Sequence, residues 1–117
     1  MAIISNLVID QGTTFQADID VTDSAGDALN LSGYNAAGQM RKTYASNTAI
    51  DFTAGIQSEA NGTVRISLSA AETHGIKAGR YIYDVEIKKT STNEVTRIVE
   101  GQIEVTPGVT KVNLTNG

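Results

Sequence analysis

The chain has no cysteine and no tryptophan, one proline, one histidine, and only four tyrosines and two phenylalanines among its 117 residues. Without cysteine there are no disulfides, thiolate metal sites or cysteine nucleophiles, so a reducing cytoplasm is the simpler setting for folding. Without tryptophan and with so few rings, no aromatic cleft is available to hold a sugar. Basic residues are also in deficit. Nine Lys and Arg stand against thirteen Asp and Glu, a formal net charge of −4, which is the wrong sign for a phosphate backbone and argues against nucleic acid as a partner. No apolar run approaches the roughly 20 residues of a membrane helix. The segment Met1 to Leu7 has no Lys or Arg ahead of its apolar residues and turns polar at once, unlike a signal peptide. The expectation is a soluble chain made in the cytoplasm, with no membrane partner, leaving a cell only by a route such as lysis.

Strand patterning is what remains. Phe15, Ala17, Ile19 and Val21 alternate with Gln16, Asp18 and Asp20, the period of a half-buried strand over Thr13 to Thr22. The same reading gives strands over Ala2 to Asp10, Tyr34 to Lys42, Ala49 to Ala54, Thr63 to Ser69, Arg80 to Lys89 and Glu94 to Thr106. The run Gly79 to Ile87 is taken as the central strand, with Tyr81, Tyr83, Val85 and Ile87 on one face and Asp84 and Glu86 on the other. Turn chemistry separates these runs: Asp23 to Asp27, Glu59-Ala60-Asn61-Gly62 as a tight hairpin, and Thr90 to Asn93. Leu68 to Ala78 reads as a loop crossing between sheets that contains one possible helical turn. The small residues Ala36, Ala37 and Gly38 mark a close approach by another backbone or sheet, and Gly101 a bulge or bend. Pro107 falls at a strand end, where a missing N–H does least harm. The fold class expected is all-β, an immunoglobulin-like antiparallel β-sandwich of about seven to eight strands spanning residues 1–108, with 109–117 as a C-terminal tail or docking arm.

No chemistry assembles in this pattern. His74 has no sequence neighbour that would make it a general base, and it reads as a solvated loop residue. Asp18, Asp20 and Asp23 lack the spacing of a calcium loop; alternation puts the first two about 7 Å apart on one wet face. Asp84 and Glu86 are alternate members of a polar strand face rather than an acid–base pair. There is no phosphate-binding glycine run. Three Asn-x-Ser/Thr matches, at Asn30, Asn61 and Asn113, have no consequence without secretion. Tyr81, just after the crossing loop, is placed to bury its ring and bond its hydroxyl to the loop backbone, and Tyr83 joins it in locking that loop. No catalytic, cofactor-binding or metal residue is expected, and no cofactor.

Several segments in order carry a resemblance: Leu7 to Phe15, Leu29 to Ala36, Leu68 to Thr73, Ala78 to Ile87 and Val95 to Thr110. Together they resemble a small immunoglobulin-like domain of virion accessory proteins in tailed bacteriophages, and the likeness runs from about Leu7 to Lys111. Asn35 and Gly38 depart from the pattern, standing where such domains often carry Thr and a larger apolar residue. The resemblance implies a non-enzymatic virion structural protein, decorating or cementing the capsid or forming part of the neck, tail or baseplate. Its partners would be other virion proteins, with several copies or a homo-oligomer in the particle. A carbohydrate- or host-receptor-binding module on the phage surface is the alternative.

Overall fold

A computed structural model describes residues 3–109. In chain order the elements are β1 (Ile3–Ile4), β2 (Leu7–Asp10), β3 (Phe15–Asp20), β4 (Tyr34–Arg41), β5 (Ile50–Asp51), β6 (Thr53–Ser58), β7 (Thr63–Leu68), α1 (Ala70–His74), β8 (Gly79–Lys89) and β9 (Glu94–Thr106). One sheet has the order β9-β8-β4-β5 with β1 and β2 both beside β9, and the other has the order β3-β7-β6. Three strands facing a larger sheet, with β3 to β7 and β9 to β8 to β4 as neighbours, is the strand order of an immunoglobulin-like sandwich.

Between the sheets lies one apolar cluster. Val64, Ile66 and Leu68 on β7 face Tyr81, Tyr83, Val85 and Ile87 on β8, all buried, with Ile103 and Val105 of β9 and Leu31 and Met40 beside them. The strand period of two delivers these residues to one face while Arg80, Asp84 and Glu86 point outward. Three rings bridge the layers. Phe52 lies 6.1 Å from Phe15 and 6.2 Å from Tyr83 between ring centroids, the second pair edge-on, a geometry worth about 0.5–1.5 kcal/mol per pair beyond burial.

The structure corrects several expectations. Ala2 to Asp10 is not one strand: it breaks at Ser5 and Asn6 into β1 and β2. Both halves run parallel to β9, Ile3 opposite Val99 and Leu7 opposite Ile103, so the larger sheet is mixed rather than wholly antiparallel. Gly101 is not the bulge. The irregularity falls where Val85 and Glu86 meet Val99 and Arg97, leaving Ile98 as the extra residue. Gly101 instead receives the break in the first strand: a Cβ there would collide with the Ser5 carbonyl oxygen and come within 2.8 Å of its carbon. Ala49 to Ala54 is likewise not one strand, though both of its pieces lie at sheet edges. The chain changes sheets at the buried Phe52, with β5 on β4 and β6 on β7, and β6 continues to Ser58. The turn after it spans Glu59 to Gly62 as a four-residue loop in which only Gly62 takes positive φ, 69°; Asn61 does not.

Other expectations hold. β8 and β9 pair antiparallel over their length. Gly38 is closely approached: a Cβ would meet Asp84 O at 3.1 Å and Phe52 and Val85 side chains at 3.2 Å. Asp23 holds its turn, its Oδ1 accepting from the N–H of Ala25 and Asp27 at 2.9 and 3.1 Å. The possible helical turn is α1, closed at its start by Ser69 and Glu72 in a reciprocal capping box. Of the tail or docking arm expected over 109–117, residues 110–117 lie outside the described residues.

Candidate interaction surface

The outward face of the larger sheet collects the charges that β4, β8 and β9 do not bury. Register places Gln39 opposite Asp84 and Asp84 opposite Glu100, with Arg97 opposite Glu86. Two carboxylates directly across a strand pair would repel. Arg97 resolves this: its Nε lies 3.2 Å from Asp84 Oδ2 and its Nη1 3.4 Å from Glu100 Oε1. The bulge makes the arrangement possible. Ile98 and Val99 are both buried, so Arg97 and Glu100, three apart, emerge on the same wet face. The signal was present in the sequence, since Arg-Ile-Val-Glu breaks strict alternation with two apolar residues between two charges.

A shallow cleft of about 290 Å³ opens beside this ion pair, lined by Gln39, Arg41, Tyr44, Ile82, Asp84 and Arg97 among others. Arg41 is held in place, donating from Nη1 to Ser46 O at 2.6 Å and from Nη2 to Gln39 Oε1 at 3.0 Å. Gln39 in turn donates to Asp51 at 2.5 Å. Tyr44 stands at the rim, 84% exposed. Exposed pairs of this kind contribute only about 0–1 kcal/mol to stability, so their organisation does little for the fold and leaves donors and acceptors facing solvent.

Along the β1 and β2 edge the same face turns apolar. Ile4 and Val8 pair in register with Glu100 and Glu104 and are 76% and 58% exposed. They lie on an edge strand, where half the backbone groups point away from the sheet.

The residues singled out in the sequence do not converge. His74 is exposed at the end of α1, while Asp84 and Glu86 lie on β8. Asp18 and Asp20 are on the wet face of β3, as alternation requires, but they are paired across the sheet. Arg65 holds Asp18 through two hydrogen bonds of 2.7 and 3.1 Å, and Thr63 donates to Asp20 at 3.0 Å. That hydrogen bonding from Arg65 lowers the Asp18 pKa from its ordinary value. Tyr81 donates to Lys77 O at 2.7 Å, the corner bond expected of it. Tyr83 does something else: it donates to Ser5 O at 2.7 Å, locking the N-terminal segment and not the crossing loop. Burial pushes both phenols above their ordinary pKa. Among the described residues no group of three His, Asp or Glu side chains is arranged to hold a metal ion, and no helix is long and apolar enough to cross a membrane.

No family model matches the chain, and no curated protein matches it. Among solved structures 144 chains match. One is the crystal structure of Listeria monocytogenes InlP, at 16% identity and a TM-score of 0.48, over 87% of this chain and 26% of that one. The chain therefore spans about a quarter of that protein's length, and a likeness at this level assigns nothing to it.

Proposed function

We propose that this chain is a non-enzymatic structural component of a tailed-bacteriophage particle that works by protein–protein contact. The observation that carries the contact role is the exposure of Ile4 and Val8 on an edge strand, beside an ordered but solvent-facing polar network. Apolar side chains next to unpaired backbone are what a protein partner can cover. The particle assignment is drawn from the ordered likeness of residues 7–111 to virion accessory domains. Mass spectrometry of purified particles, with immunogold labelling, tests it. The protein is expected in stoichiometric amounts at one location, head or tail. Particles that lack it would overturn the reading, as would gene neighbours unrelated to capsid, portal or tail proteins.

A second reading has one observation in its favour. Tyr44 stands exposed beside the polar cleft, and a ring next to several donors is a minimal sugar platform. Binding of the isolated protein to a glycan array, lost in Tyr44→Ala, would favour a receptor-binding module.

A further inference from the structure

The smaller sheet is incomplete on one side. Because β1 and β2 have joined β9, β3 is left hydrogen-bonded to β7 alone among the described residues. Its free edge borders a cleft of about 200 Å³ lined by Ile3, Leu7, Ala17, Ile19, Ile66 and Val99. This slot is mostly apolar, with Ser5, Asp18, Asp20 and Tyr83 also contributing to its lining, and it lies beside strand backbone that has no sheet partner among the described residues; Ile3 at it is 58% exposed. Asp18 and Asp20 stand on the outer face of the same strand. Asp20 has no ion-pair partner among the described residues.

We propose that this edge accepts the C-terminal segment, residues 110–116, of a second copy of the chain as an added strand. Two observations select that occupant. The segment reads Thr-Lys-Val-Asn-Leu-Thr-Asn, and when Val112 and Leu114 face the slot, Lys111 and Asn113 fall on the opposite face, beside Asp18 and Asp20. Charge complementarity thus follows from the same alternation that buries the apolar pair. Length agrees as well, since seven extended residues cover about 23 Å and the six of β3 about 20 Å. Backbone pairing would supply affinity and the two apolar side chains the register.

This inference rests on the structural-protein reading only in that it names a partner; it can be tested in solution without any particle. The full chain, at tens of micromolar, is measured by light scattering after size exclusion and compared with a full-length Val112→Asp, Leu114→Asp variant. The expected result is a dimer or larger assembly for the natural chain and a monomer for the variant. Adding a synthetic peptide of residues 109–117 to the variant should protect the amides of Phe15 to Asp20 from hydrogen exchange. A Lys111→Glu chain should associate roughly two- to fivefold more weakly at low salt, the range of an exposed charge pair, and the difference should vanish in high salt. Assembly that persists unchanged in the double variant would overturn the proposal, as would peptide protection elsewhere. A monomeric natural chain whose Phe15 to Asp20 amides become exposed in the variant would mean that the arm fills its own slot, which also overturns exchange between copies. None of these outcomes bears on whether particles contain the protein, so the two readings fail separately.

Discussion

Two tyrosines two positions apart on β8 do different work. The Tyr81 hydroxyl closes the corner at Lys77, and the Lys42 ammonium lies 4.8 Å from its ring centroid. Tyr81→Phe should therefore lower stability to urea by about 1 kcal/mol, the usual net worth of a hydrogen bond, with partner binding unchanged; the opposite pattern would move Tyr81 into the interaction surface. Asp18 offers a test by pH. Its pKa in the folded chain is depressed by Arg65, so its contribution is present above the ordinary carboxylate value and lost as pH falls through the folded one. Melting temperatures taken from pH 6 to pH 2 at low salt should fall more steeply below about pH 4 for the natural chain than for Asp18→Asn.

At the level of elements, α1 shows how little sequence length can fix an orientation. Five residues make only one turn and would not persist alone. What anchors the turn is Thr73, fully buried, whose hydroxyl donates to Thr13 O at 2.7 Å and accepts from Gly12 N–H at 3.1 Å. Thr73→Val keeps the shape but strands both backbone groups. A loss of about 1–3 kcal/mol is expected, read by chemical denaturation, together with faster hydrogen exchange at Gly12. Strands with strict alternation, such as β3, β7 and β8, were legible in the sequence because burial on one face dictates a period of two. The breaks were not. Ser5-Asn6 and Phe52 carry no local signal for changing partner or sheet, since those changes depend on what lies across from them. In the sequence Gly101 reads as a bulge or bend, whereas its small size serves a close approach by a segment 96 residues away in the chain. Gly101→Ala should cost about 1–3 kcal/mol, as overfilled sites do, or release β1 from β9; loss of protection at Ser5 would separate the two. The charged surface was half legible: Asp84 and Glu86 could be placed on a wet face, whereas the pairing of Arg97 with Asp84 and Glu100 depends on the bulge.

Taken whole, the described residues place β1 and β2 beside β9, running in the same direction. β2 and β9 run together from Leu7 opposite Ile103 to Asp10 opposite Thr106. Backbone bonds continue the seam at both ends, Ser5 N–H to Glu100 O at 2.9 Å and Gln11 N–H to Thr106 O at 3.0 Å. Side chains cross it too: Asn6 accepts from Gln102 N–H at 3.0 Å, and Thr106 donates to Asp10 at 2.8 Å. The parallel pairing that displaced β1 and β2 from the smaller sheet has a mechanical meaning. Tension applied between residue 3 and residue 109 acts along these strands in opposite senses, so the cross-links are sheared together and cannot be peeled one by one. Pulling the natural chain from its two ends in an optical trap should therefore give a single high-force rupture. Gly101→Ala, which disturbs the middle of the seam, should lower that force more than Tyr81→Phe, which lies off it. Equal effects of the two substitutions would show that the seam does not set the mechanical resistance.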